Sequence, residues 1–339
     1  MAIPTRRRKF ILALGGAAVA WPLAARGQQA EKVHRIAVVH PTVAVAAMRE
    51  SGDDPRYSAL FKELRRLGYV EGKNLVVERY SAGGRPERYN ELAYDVVRAK
   101  PDLIVASSNT LALSLQAATD TIPIVGIMAD PVAFGNARSL TRPGGNFTGI
   151  SVEAGLEIWG KRLQILRELV PTAARVGWLD SRAAWDLAAA STVREAAVKA
   201  GISLLGPPLE SPIQPAEYRR VLGAMAEEHL DGLIVSDGPH NLTHWRLIVD
   251  LAEKARLPTV YPYREFFDIG GLVAYGSDIG TSFRRMAGYI DQILRGAKPG
   301  EIPIYLESTF ELLINQKAAK ALGLTIPTSL LVRADEVIE

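Results

Sequence analysis

Leu103-Ile-Val-Ala-Ser-Ser-Asn-Thr110-Leu-Ala-Leu-Ser-Leu-Gln-Ala-Ala118-Thr-Asp-Thr-Ile-Pro-Ile124-Val-Gly-Ile127 holds the plan of the chain in one stretch. Residues 103–106 form a short apolar run of the length of a buried strand, and Ser107-Ser-Asn-Thr110 ends it with side chains that favour helix starts. Residues 111–118 predict a helix, and the apolar run 124–127 a second strand. A strand, a helix and a strand at this spacing mean a crossover between parallel strands, with both faces of the sheet covered.

The same alternation extends outward in both directions. Strands are predicted at 35–40, 75–80, 103–106 and 124–127, then at 175–179, 203–205, 232–235, 259–261 and 272–275. Amphipathic helical stretches fall between them, at 58–67, 89–98, 158–170, 184–200, 216–229 and 245–254. The series runs twice, with a glycine-rich break at Pro143-Gly-Gly-Asn-Phe-Thr-Gly149. The expected fold class is α/β: two Rossmann-like lobes with parallel sheets and a cleft between them.

In such sheets, ligands sit beyond the carboxyl ends of the strands. In the first series that rule selects Ser107, Ser108, Asn109 and Thr110, then Asp130. In the second it selects Asp180, Ser181, Ser236, Asp237, Tyr261, Tyr263 and Asp278, with Trp185 just past the Asp180 turn. Hydroxyls and amides at a helix start suit a carboxylate, so Asn109 and Thr110 are expected to hold one. A carboxylate on a neighbouring loop suits an ammonium group, the role expected of Asp130. Rings suit an aromatic or flat apolar body. Each assignment has a structural alternative: helix capping by residues 108–110, a turn closed by Asp130 on its own loop, and core or hinge packing for the rings, Tyr275 above all.

The N-terminus adds a compartment. A basic run, Thr5-Arg-Arg-Arg-Lys9, precedes a short apolar run from Phe10 to Ala20, and small residues around Ala25 and Gly27 offer a cleavage site. This is the layout of an export signal, residues 1–27, too short and glycine-rich to remain as a membrane span. Arg7-Arg-Lys-Phe-Ile11 resembles the twin-arginine motif; ordinary Sec export is the alternative. Cleavage near Gly27 leaves 312 of the 339 residues and removes five of the positive charges, so a net charge of +3 becomes −2. No nucleic-acid partner gains support from that balance. The chain has no cysteine, which excludes lipid anchoring through a cysteine, disulfides, thiolate metal sites and iron–sulfur clusters. The expected location is the periplasm.

Motifs with chemistry are few. Gly155-Leu-Glu-Ile-Trp-Gly-Lys161-Arg162 nearly spells a phosphate-binding loop, but Arg162 stands where a magnesium-binding hydroxyl is needed. His240 and His244, four apart near Asp237, could share a metal; Pro239 and Asn241 make a solvated or helix-starting role the better reading. No nucleophile elbow, dinucleotide fingerprint or catalytic carboxylate pair is present, so neither an enzyme nor a cofactor or metal is expected.

Several segments together resemble the substrate-binding proteins of ABC transporters related to the tryptophan/tyrosine-type uptake system. They are Gly68-Tyr-Val-Glu-Gly-Lys-Asn-Leu75, Ile122-Pro-Ile-Val125, Asp130-Pro-Val132, Leu140-Thr-Arg-Pro-Gly-Gly-Asn-Phe-Thr-Gly149, Gly270-Gly-Leu-Val-Ala-Tyr-Gly276, Ile293-Leu-Arg-Gly-Ala-Lys-Pro-Gly300, Ala321-Leu-Gly-Leu-Thr-Ile-Pro327 and Arg333-Ala-Asp-Glu-Val-Ile-Glu339. The resemblance implies the type I periplasmic binding-protein fold, with lobes of 33–150 plus 277–308 and 151–276 plus 309–339. Three crossings are implied near 150–152, 276–279 and 306–310. It also implies a monomeric receptor that takes a small-molecule ligand to an importer permease in the inner membrane. A ligand sensor for a membrane receptor and a periplasmic enzyme in the same cleft are the alternatives. Ser107-Ser-Asn-Thr110 and Asp180-Ser-Arg182 depart from the family's usual loops, so its ligands do not transfer automatically.

Overall fold

Alternate residues of single strands enter different cores. Ile36 and Val38 pack into one apolar cluster and Ala37 and Val39 into another; Leu103 and Val105 divide from Ile104 and Ala106 in the same way. A strand whose two faces both meet helices must be apolar at every position, which is why these runs do not alternate with polar residues. The computed structural model describes residues 32–152, 157–186 and 190–339. The export signal expected at 1–27 lies outside them.

Strands β1 (His34–His40), β2 (Leu75–Ser81), β3 (Leu103–Ser107), β4 (Ile124–Met128) and β5 (Phe147–Ser151), with β11 (Tyr305–Leu306), form a six-stranded sheet in the order β11-β5-β4-β3-β1-β2. Every pairing in it is parallel. Strands β6 (Arg175–Leu179), β7 (Ser203–Leu205), β8 (Gly232–Val235), β9 (Thr259–Tyr261), β10 (Val273–Gly276), β12 (Glu311–Asn315) and β13 (Glu336–Ile338) form a seven-stranded sheet, β13-β12-β10-β9-β8-β6-β7. This sheet departs from the all-parallel expectation at one place, where β12 returns antiparallel to β10. The chain reaches β12 through a short connection from β11, with no helix to carry it back to the starting edge.

The chain passes between the sheets after Ser151, again between Gly276 and Ile279, and finally between Leu306 and Glu311. Helix Ile279–Leu294, entered at the second passage, packs along helix Pro55–Arg66 on the first sheet. Residues 34–339 form one compact unit.

The glycine-rich stretch at 143–149 is not the joint between the halves. Phe147, Thr148 and Gly149 lie inside β5, paired with β4. Gly149 is there because β4 and β5 approach closely: a Cβ on it would stand 1.9 Å from the Gly126 carbonyl oxygen, and its φ is +150°. The helix expected over 184–200 is described as two pieces, Arg182–Asp186 and Ala190–Lys199, with 187–189 outside the described residues. The near-phosphate loop likewise falls partly outside; from Glu157 onward it is helix, as its apolar spacing predicts. Among the described residues no helix is long and apolar enough to cross a membrane.

Candidate ligand-binding site

The carboxyl ends of β1, β3 and β4 face those of β6 and β8 across a cavity of about 340 Å³. That volume is within the range of small-molecule sites. Tyr89, Phe134 and Phe283 on the side of the first sheet, and Trp159, Trp178 and Tyr263 on the other, give it aromatic walls. Ile127, Met128, Val152, Val193, Ile213 and Leu242 fill the space between the rings.

Ser107, Ser108, Asn109, Thr110 and Asp130 line it from the first sheet, and Asp180, Ser181, Asp237 and Tyr263 from the second. The structure places the other four expected residues off the wall. Ser236 is fully buried and its hydroxyl accepts from Asn241 Nδ2 at 2.9 Å. Tyr261 is inside the core, stacked on Phe266 with centroids 5.1 Å apart. Asp278 caps helix Ile279–Leu294 by accepting from the Thr281 amide at 3.0 Å, and also meets Arg284 at 3.4 Å. Trp185 lies behind Trp178, centroids 4.8 Å apart. Tyr275 stacks on Phe310 near the hinge, in the packing role that was its alternative.

Helix Asn109–Ala118 begins without a capping side chain: Ser108 makes no such hydrogen bond. Its first amides therefore take no capping side chain at a helix start that lines the cavity, and the helix dipole adds positive potential there. The Asn109 side chain is already engaged. Its Nδ2 donates to Asn136 Oδ1 at 3.1 Å while Asn136 Nδ2 donates to the Asn109 carbonyl at 3.0 Å, which ties the helix start to the loop after β4. Thr110 Oγ1 lies 3.1 Å from Ser108 Oγ. Asp130 uses Oδ1 for its own turn, accepting from the Val132 and Ala133 amides at 2.9 and 3.0 Å. Its Oδ2 takes no hydrogen bond from the described residues.

Beyond the aromatic and aliphatic walls, the cavity residues that escaped the sequence reading include one arginine and two histidines. Arg56 is buried and paired with Asp54, whose Oδ1 accepts from Nε at 2.9 Å. His40 is buried; its Nδ1 accepts from the Thr42 and Val43 amides at 3.0 and 2.9 Å, and burial, helped by the Arg56 charge, holds its pKa well below the ordinary imidazole value. His240 does start a short helix, Pro239–Thr243, but it is buried in the wall rather than solvated. Its Nε2 stands 3.2 Å from Asp180 Oδ1. Asp180 Oδ1 also accepts from the Ser181 amide at 2.7 Å. The proline and histidines at 239–244 signalled a turn; only the tertiary fold shows that the turn lies against β6.

Hydrogen bonds join the two halves beside the cavity. Thr42 Oγ1 and Thr243 Oγ1 are 2.6 Å apart, the Ile213 amide donates to the Gly84 carbonyl at 3.1 Å, and Gln214 Nε2 donates to the Gly83 carbonyl at 2.8 Å. Ser211 Oγ donates to Glu87 Oε2 at 3.0 Å. Gly84, with φ +76°, is needed at this seam, since a Cβ would stand 2.6 Å from the Ile213 carbonyl oxygen.

Two sheeted lobes, three chain passages and a ring-lined cavity between strand ends define a type I periplasmic binding protein. The chain belongs to the family described as ABC transporter substrate binding protein, which matches residues 42–338. Members of that family bind their substrates and do not convert them. A tyrosine-binding protein of Clostridioides difficile is 25% identical over 279 residues, 80% of this chain and 77% of that protein. A conserved domain protein of Vibrio cholerae superposes with a TM-score of 0.77 at 26% identity, covering 90% of this chain and all of its own. A domain from Streptococcus pneumoniae solved with L-Trp shares the fold with a TM-score of 0.75 at 23% identity, over 91% of this chain and 100% of its own.

Proposed function

We propose that this chain is the exported receptor of an ABC importer for an aromatic amino acid or aromatic carboxylate. On this reading the lobes 33–150 plus 277–308 and 151–276 plus 309–339 close on the ligand, and an inner-membrane permease takes it from the closed form. The observation that carries the ligand class is the cavity itself: rings on both sides, an uncapped helix start on one wall, and a buried carboxylate, Asp180, on the other. The open amides of residues 109–111 would receive the carboxylate, and Asp130 Oδ2 an ammonium group. The named ligands of the Clostridioides and Streptococcus relatives agree with this class.

A thermal-shift screen of amino acids, aromatic acids and sugars tests it. A ligand at 100 times its dissociation constant adds about 2.7 kcal/mol of stability. Stabilisation by aromatic amino acids or acids is the expected result. A response to sugars alone, with none to any carboxylate, would sink the ligand class.

A further inference from the structure

A charge enclosed without a counter-charge is far more costly than the same charge at a surface, so an unpaired carboxylate in a cavity wall indicates what a ligand must bring. Among the described residues, three aspartates line the cavity, Asp130, Asp180 and Asp237, against one arginine and no lysine. The arginine, Arg56, is already paired with Asp54 inside the wall. The stretches 153–156 and 187–189, outside the described residues, contain neither lysine nor arginine. The fixed charge of the wall is therefore negative and unmatched.

Asp180 is the most enclosed of the three, at the end of β6. No lysine or arginine pairs with it among the described residues; Arg182, two positions along, is turned to Glu210 at 2.7 Å instead. Oδ1 serves the Ser181 amide, and His240 Nε2, 3.2 Å away, lacks hydrogen-bond geometry to it. Oδ2 takes no hydrogen bond from the described residues and is not among the atoms sealed off in the wall. The Asp180 side chain keeps 10% of its surface accessible on a residue that lines the cavity, so a ligand atom can reach it.

The surroundings suit a cation. Trp159, Trp178 and Tyr263 line the same half, and the faces of aromatic rings attract positive charge. Asp180-Ser-Arg182 is also one of the two loops in which this chain departs from its family's usual sequence, so the carboxylate here belongs to this chain's own selectivity.

We propose that Asp180 selects a ligand that is a net cation, an amino acid whose ring carries a second, basic group at the end away from its α-ammonium. The proposal rests on the amino-acid half of the reading above and sets aside aromatic carboxylates that lack an amine. The ligand then links Asp130 on one half of the cavity to Asp180 on the other. A ring with an uncharged end leaves Asp180 enclosed and unmatched, at a loss of about tenfold or more in affinity.

Calorimetric titration of the protein at pH 7 with two matched pairs tests this: 4-(aminomethyl)-L-phenylalanine against 4-ethyl-L-phenylalanine, and the two corresponding 3-substituted compounds. The members of each pair have nearly equal shape and differ in one positive charge. In at least one pair the aminomethyl compound is expected to bind at least tenfold tighter. Asp180→Asn keeps the shape and removes the charge, so it should shrink that gap to within threefold. Asp130→Asn should weaken both members alike and leave the gap in place. Equal or reversed binding within both wild-type pairs overturns the proposal and leaves the aromatic amino-acid reading standing. So does a gap that survives in Asp180→Asn, or one that closes in Asp130→Asn. Binding by none of the four probes overturns that reading, and this proposal with it.

Discussion

Ser108 holds φ +143° and ψ +140°, a region that side chains other than glycine seldom enter. Such a residue costs about 1–3 kcal/mol, and the surrounding fold must impose it. The result is a helix start whose amides are not consumed by a cap. Ser108→Gly should remove the strain at a smaller entropic cost and raise stability by about 1 kcal/mol, or about 2 °C in melting temperature. An unchanged or lower melting temperature would show that the conformation is not strained. His40 couples stability to pH. Its pKa is depressed in the folded chain, so above pH 6.5 both folded and unfolded states are neutral and it adds no pH dependence. Below that, the unfolded state takes up the proton first, and stability falls by about 1 kcal/mol per pH unit until the folded value is reached. His40→Asn can still accept from the two amides and does not titrate. Urea unfolding at pH 7, 6 and 5 should show a shallower loss in the variant. His244, also depressed by burial, supplies part of the slope that remains.

At the scale of elements, the short helix Pro239–Thr243 depends on Gly238, the residue just before it. A Cβ there would stand 2.4 Å from His240 Cε1, so the imidazole lies directly on the bare backbone. Gly238→Ala should push His240 off Asp180 and weaken ligand binding about tenfold, with the sheets intact by circular dichroism; unchanged affinity would remove His240 from the site. Elements of this kind show the limits of reading the chain alone. The strands around 35–40, 103–106 and 232–235 were legible because burial on both faces demands unbroken apolar runs. β5 was missed because Asn146, Thr148 and Gly149 are turn-like residues, and the demand for Gly149 comes from a neighbouring strand. β11 and β13, at two and three residues, are too short to show a period. In the site, strand-end logic brought nine expected residues to the wall. It could not separate Tyr261, which points into the core, from Tyr263, which lines the cavity. Arg56, His40 and His240 carried no periodic signal because their burial is decided by the docking of distant segments.

For the whole molecule, the two halves are joined by contacts that need not touch a ligand. Ser211 and Gln214 bond Glu87 and the Gly83 carbonyl across the seam, and neither side chain lines the cavity. If the halves separate to admit ligand, these bonds form only on closing and add to affinity from outside the site. The double variant Ser211→Ala, Gln214→Ala loses two hydrogen bonds of about 0.5–1.5 kcal/mol each, so its dissociation constant should rise about 5- to 150-fold. A change under twofold would show that the seam contributes nothing to holding the closed form.

The seam also bears on time. On the receptor reading proposed above, a solute enclosed behind Thr42–Thr243 and Gly84–Ile213 leaves only when those bonds part, so its dwell is paced by the opening of the protein as well as by its own contacts. Loosening the seam should hasten escape for every solute alike, whatever its chemistry, and a membrane partner that pries the halves apart would act as a catalyst of release.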